Sequence, residues 1–402
     1  MTSAECQRPF FFTASDLRSP FARMAELLAG VAPGREPINL SVGEPQHPVP
    51  TFAGPVMAQH IATLGRYPMA KGTAHFRAAA ADWLTRRYGL PRAPDPESEV
   101  LVLNGTREGL FLAAIAAHRF VGARPGLPAI LMPNPFYAAY PAGAEAAQCE
   151  PVYLPATAAT GFLPDLDALD EALLARTVAI YIGSPSNPQG AVADLDYLVR
   201  LIALARRHGF LVFADECYSE IYSNTPPPGI LQAAGSDFSN VLVFQSLSKR
   251  SNLPGLRVGF IAGDPAFIAK FLDLRNVAAP QVPVVAQEVA IAAYADEAHV
   301  AENRRRYAIK FDLADAIIGD RFGYRRPEGG FYLWLDVSAV GGSEAATLTL
   351  WREAGLRVLP GRYIARDQAN GSNPGAAFIR VALVQDENVT AEALQRLIAT
   401  LG

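Results

Sequence analysis

The chain has 402 residues, half of them hydrophobic and 18% charged, with a formal net charge of -4 at neutral pH. This is the composition of a large folded protein of roughly two to three domains, and it excludes a disordered chain. No basic block offers a footprint for nucleic acid or a membrane surface, and no apolar run approaches the ~20 residues of a membrane span. Cys6, Cys149 and Cys217 lie far apart and form neither a C-x-x-C pair nor a disulfide framework, which fits a reducing, cytoplasmic setting. The N-terminus lacks the basic and apolar regions of a signal peptide.

Val100–Leu103 is a continuous apolar run that predicts a buried strand, and Thr106–His118 predicts the helix after it. Ala129–Met132 predicts a second strand, ahead of a Pro-Asn-Pro turn. Val178–Ile182 predicts a third, ahead of Ser184-Pro185-Ser186-Asn187-Pro188. Helix Leu195–His208 leads into strand Phe210–Ala214, and Val241–Phe244 and Val258–Ala262 are two further strands. Such runs spaced by helices predict an α/β fold with a mostly parallel sheet covered on both faces. The last third changes character: Phe331–Val337 and Ala377–Leu383 read as strands among amphipathic helices, a smaller α+β domain. The expected division is an N-terminal segment 1–46 that joins the small domain, a large domain 47–290 and a small C-terminal domain 291–402.

In an open α/β sheet, ligands bind beyond the carboxyl ends of the strands. Four such ends carry distinctive groups here. Asn104-Gly105-Thr106-Arg107 joins strand to helix, where free N–H groups and the positive helix end suit a phosphate; an ordinary capped turn has the same residues. Asn187 sits in a turn that Pro188 and Gly190 would fix. Asp215 closes an apolar strand, so it is either a helix cap or the partner of a buried cation. Tyr218 follows three residues later. Ser246-Leu247-Ser248-Lys249 places a lysine behind two hydroxyls, with Arg257 eight residues on, a set suited to an imine-forming lysine beside a phosphate. In the last third, Arg380 interrupts an apolar strand, where it either snorkels at an edge or takes a carboxylate with its planar fork.

The order and spacing of these groups resemble class I/II aminotransferases, pyridoxal 5′-phosphate (PLP) enzymes of fold type I with an aspartate-aminotransferase-like architecture, over nearly the full chain. The resemblance implies that Lys249 is the Schiff-base lysine and general base. It implies that Asp215 pairs with the cofactor's ring nitrogen, and that Asn187 and Tyr218 bond the ring oxygen. Gly105, Thr106, Arg107, Ser246, Ser248 and Arg257 would hold the phosphate, and Tyr137 would stack on the ring. Gly43 and Arg380 would lie at the substrate carboxylate. Tyr67 would reach the phosphate of a neighbouring subunit, which implies a homodimer with shared active sites. No metal is implied.

Several stretches look more narrowly like N-succinyldiaminopimelate aminotransferases (DapC type): Tyr67-Pro68-x-x-Lys71-Gly72, Pro133-Asn134-Pro135-Phe136-Tyr137, Asp215–Tyr222, Ser246–Arg257 and Leu359-Pro360-Gly361-Arg362-Tyr363. Phe76 stands where that pattern has leucine before Arg77. The implied reaction is transamination between N-succinyl-LL-diaminopimelate and 2-oxoglutarate in lysine biosynthesis. Lys71, Arg250 and Arg23 are candidates for the substrate's distal carboxylates, each with solvated surface charge as the plainer reading. Alternatives are a broader aminotransferase for N-acetylornithine, aspartate or aromatic amino acids, and a PLP-dependent β-lyase. Transcription regulators with this fold carry a basic N-terminal module, for which there is no room before Gly43.

Overall fold

The computed structural model describes residues 18–402, so Cys6 and the start of the N-terminal segment lie outside the described residues. Seven strands build the main sheet: β1 (Val100–Leu103), β2 (Ala129–Asn134), β3 (Glu150–Pro155), β4 (Thr177–Gly183), β5 (Leu211–Asp215), β6 (Val241–Ser246) and β7 (Gly259–Gly263). Their order is β1-β7-β6-β5-β4-β2-β3. The block β6-β5-β4-β2-β3 is parallel, while β7 runs antiparallel to both of its neighbours. Central strands are apolar at nearly every position because both faces are covered. Val102, Val212 and Val243 pack into one core with Trp83 and Leu201, whereas Leu101, Phe213 and Phe244 point to the opposite core with Leu110 and Phe267. The alternation is the two-residue period of a strand.

The predicted strands all form. The helix after β1 runs three residues further than expected, Thr106–Val121, and stops at Gly122. Helix Leu195–His208 forms as predicted. Asp194 accepts from the Tyr197 N–H at 2.8 Å at its start, and Gly209 at φ +70° ends it in the left-handed conformation. Strand β3 was not anticipated. Pro151 and Pro155 break its pattern, and it occupies a sheet edge, where a missing N–H costs no ladder bond.

Three antiparallel strands form a second sheet, in the order β9-β10-β8: β8 (Tyr332–Asp336), β9 (Leu359–Pro360) and β10 (Phe378–Ala382). Helices Ala298–Ile318, Gly342–Ala354 and Glu387–Leu401 enclose it through Phe311, Leu350 and Leu397. The early segment Ile38–Asn39 pairs in parallel with Leu356–Arg357, and the Leu40 carbonyl accepts from the Ala382 N–H at 2.8 Å. Between the two sheets, residues 327–330 lie against the loops after β4 and β5. Gly329 N–H donates to Gly190 O at 3.0 Å, and Gly330 N–H to Ile221 O at 2.8 Å. Among the described residues, no helix is long and apolar enough to cross a membrane.

Candidate active site

Strand register brings the first group together. Leu103 on β1 and Ser246 on β6 both pair with Gly259 on β7. The residues after β1 and β6 therefore meet the residue before β7. Gly105, at φ +78°, approaches Arg257 so closely that a Cβ would overlap the guanidinium. Arg257 donates to Pro254 O at 2.9 Å and Asn104 O at 3.4 Å. Ser246 Oγ accepts from the Ser248 N–H at 3.1 Å and donates to Ser248 Oγ at 2.9 Å. Helix Thr106–Val121 starts here with no side-chain cap among the described residues. Uncapped N–H groups, hydroxyls and a guanidinium thus face one point, a ready anion cradle.

Asp215 ends β5 two strands away. Its oxygens accept from neutral donors, Tyr140 Oη at 2.9 Å and Cys217 N at 3.3 Å. Burial raises its pKa against these bonds. Tyr140 is itself fixed by stacking on Tyr181, with ring centroids 4.3 Å apart. Beside it, the Tyr137 hydroxyl accepts from Arg107 Nε at 2.7 Å.

Lys249 lies at the end of the single helical turn Leu247–Arg250. Its Nζ donates to the Gly43 carbonyl and sits 5.2 Å from the Phe331 ring centroid and 5.9 Å from that of Tyr218. Burial lowers its pKa, and Arg380 adds to the effect. The Tyr218 hydroxyl is 3.0 Å from that of Tyr332. A Cβ on Gly43 would overlap the Tyr332 hydroxyl, so only glycine lets this loop reach the lysine. Arg380 lies buried over the Tyr332 ring, 4.3 Å from its centroid. It donates to Asn187 Oδ1 at 3.0 Å and Ser41 O at 2.7 Å, while its buried Nε has no partner among the described residues.

Residues 35–397 match the family aminotransferase class I and II. The chain belongs to this family. It is 32% identical over 389 residues to an LL-diaminopimelate aminotransferase of Desulforudis audaxviator, covering 95% of each chain. It also resembles the crystal structure of an aminotransferase from Neisseria meningitidis, at TM-score 0.90 and 37% identity, covering 96% of this chain and 98% of that one. A probable N-succinyldiaminopimelate aminotransferase from Thermus thermophilus matches at TM-score 0.83 and 25% identity, over 95% and 100% of the two chains. This is therefore an aminotransferase of fold type I, a PLP-dependent class.

The aminotransferase's own groups fit that cofactor. The cradle at Gly105 suits a phosphate, and a buried carboxylate served by neutral donors suits a protonated ring nitrogen. The hydrogen bonds and close approaches above draw Gly43, Gly105, Thr106, Arg107, Tyr137, Asn187, Asp215, Tyr218, Ser246, Ser248, Lys249, Arg257 and Arg380 to the carboxyl edge of the main sheet and the facing small sheet. Thr106 Oγ1 lies 3.1 Å from Cys217 Sγ. Tyr67 stands apart, 97% exposed.

One of the three distal-anion candidates is corrected. Arg250 is buried, donates to Ala293 O at 2.7 Å, pairs with Glu297 at 2.6 Å and lies against Trp83 and Tyr294, so it is neither solvated nor free for a ligand. Lys71 pairs with Glu97 at 2.9 Å. Arg23 lies over the Tyr363 ring, 4.0 Å from its centroid. Sequence reasoning missed Tyr140 and Tyr332. Tyr140 follows Tyr137 by three residues, a helical spacing that could have marked it.

Proposed function

We propose that this aminotransferase uses Lys249 to move the amino group between N-succinyl-LL-diaminopimelate and 2-oxoglutarate. The observation that carries the reading is the Lys249 amine held at the Gly43 carbonyl, between Asp215 on the large sheet and Arg380 on the small one. Bound PLP supplies an electron-withdrawing ring that stabilises the charge left when substrate Cα loses a proton. Asp215 keeps the ring nitrogen protonated. Asn187, whose oxygen accepts from Arg380, would keep its Nδ2 to donate to the ring oxygen, and Tyr218 would donate there too. Gly105, Thr106, Arg107, Ser246, Ser248 and Arg257 would hold the phosphate, and Tyr137 would stack on the ring. Arg380 takes the substrate α-carboxylate with its unpartnered Nε side. Lys249 Nζ, favoured in its neutral form by burial, would take the substrate Cα proton and serve as the proton carrier of the site.

A substrate with a distant second carboxylate needs a second cation. Arg23 and Arg366 are candidates, each stacked on an aromatic ring: Arg23 on Tyr363, and Arg366 on Phe136, 4.8 Å from its ring centroid and next to Tyr137. The relatives named LL-diaminopimelate aminotransferases support a second reading, in which the unsuccinylated compound is the donor. Tyr67 and the exposed Met57, Ile61, Leu64 and Met69 support a homodimer in which Tyr67 completes the neighbour's phosphate site. We place the domain boundary after Ala295 rather than at 290, because helix Val284–Ala295 is continuous and buries Ala293 and Tyr294 in the large core. Free Cys149 and Cys217 fit a reducing cytoplasm.

The test is single-turnover absorbance of the PLP-loaded protein with N-succinyl-LL-diaminopimelate, LL-diaminopimelate, N-acetylornithine, aspartate and glutamate. Fast conversion by the first and by glutamate supports the proposal. Fast conversion by LL-diaminopimelate instead selects the second reading, and product formation that continues beyond one equivalent per site without a keto acid indicates a lyase. Undiminished turnover by Lys249→Ala would remove the lysine from its role.

A further inference from the structure

Behind the Lys249 turn lies a line of polar groups that transamination does not use. Lys310 Nζ is 2.8 Å from His47 Nε2, and His47 Nδ1 is 2.7 Å from Asn303 Oδ1. Asn303 Nδ2 then donates to the Lys249 carbonyl at 3.1 Å and the Arg250 carbonyl at 3.4 Å. Both ends run one way, since an ammonium only donates and a peptide carbonyl only accepts. His47 must therefore accept at Nε2 and donate at Nδ1 as a neutral ring, and Asn303 must turn its nitrogen to Lys249. The turn Leu247–Arg250 is too short to satisfy its own carbonyls. Ser251 and Leu253 both return their N–H groups to Leu247 O. Asn303 caps the Lys249 and Arg250 carbonyls from outside. His47 also follows Gly43 by four residues, so one loop holds the lysine at its tip through the Gly43 carbonyl and at its root through Asn303.

We propose that Lys310, His47 and Asn303 form a positioning chain that aims the Lys249 amine, an inference that rests on the role of Lys249 given above. The chain is built to respond to pH. His47 faces Lys310, Arg306 and Glu302, and packs on Tyr307 with ring centroids 4.6 Å apart. Burial and then the Lys310 charge lower its pKa to about 4. Lys310 faces Asp386 and Glu387 on the C-terminal helix and Arg306 on its own, and donates to Leu383 O at 3.1 Å. Burial lowers its pKa to about 8 against the two acids. A recess of about 420 Å³, lined by Gln46, Arg306, Asp386 and Asn388, gives this end access to water. The chain is complete between the two titrations.

Asn303→Asp keeps the shape and the acceptor for His47 but cannot donate to Lys249. Lys310→Met removes the charged end. Each variant would be compared with wild type in the rate at which the apoprotein captures added PLP, in the pH midpoint of the bound-cofactor absorbance band and in thermal unfolding. Slower capture, by about tenfold, and a moved midpoint are expected for both, with unfolding little changed. Unchanged capture and midpoint, whether or not unfolding shifts, would overturn the chain; so would an effect of Asn303→Asp alone, since Lys310 is then no part of it. Failure of Lys249→Ala to abolish the band in otherwise wild-type protein would instead defeat the underlying role of Lys249.

Discussion

Burial acts with opposite sign on the two charged groups at the centre of this site. It raises the Asp215 carboxyl and lowers the Lys249 ammonium, so each is driven toward its neutral form. A cationic ring nitrogen reverses the first effect, and imine formation needs the second. His47 shows the same physics with a consequence for stability. Its folded pKa, about 4, lies below the unfolded value near 6.5. Between these values the unfolded chain binds the extra proton, so stability that is present above pH 6.5 is lost as pH falls toward 4. Wild type should therefore lose urea resistance more steeply across that window than His47→Phe, which keeps a ring against Tyr307. Glu216, raised by burial to about 7, slopes the other way but is common to both proteins and cancels in the comparison. Parallel curves for the two proteins would show that the ring carries no such cost.

At the scale of elements, the segment 327–330 sets where β8 begins. Besides its backbone bonds, Ser223 Oγ donates to Pro327 O at 2.6 Å. A Cβ on Gly329 would overlap the Pro185 ring and lie 3.0 Å from Ile221 O. Gly329→Ala should push Phe331 and Tyr332 away from Lys249, lowering the unfolding temperature by several degrees and raising KM several-fold more than it lowers kcat. Equal KM in the two proteins would mean that the segment merely connects. Such elements also mark how far the sequence could be read. Asn187-Pro188, Asp215-x-x-Tyr218 and Ser246-x-Ser248-Lys249 were legible because each is contiguous and follows an apolar strand. Tyr332 was not, because an aromatic inside a strand reads as core until its hydroxyl is seen beside Tyr218, 114 residues away in sequence. Asn303 looked like any polar residue on a helix, and its partner His47 is 256 residues distant. Arg250, beside Lys249 in sequence, points away from it against Trp83 and Tyr294, since neighbours on one helical turn do not share a face.

For the whole molecule, the exposed apolar residues of the stretch 57–69 argue for association. A lone exposed Leu needs no explanation, but Met57, Ile61, Leu64, Tyr67 and Met69 together do. Ile61→Glu should shift sedimentation toward a monomer and weaken PLP retention by about tenfold, while Tyr67→Ala should weaken retention without dissociating the pair. A variant that sediments as a monomer with full PLP retention would show that each chain holds its cofactor alone.

The reversed direction of β7 has one more consequence. The chain leaves the sheet at Ser246 and re-enters it at Gly259, directly opposite, so the intervening residues form a closed loop whose two ends are neighbours. Its contour is a ruler. Lys249 is measured from one end and Arg257 from the other, and in the proposed site both reach a single small molecule. Lengthening this ruler by one residue would misplace one of the two.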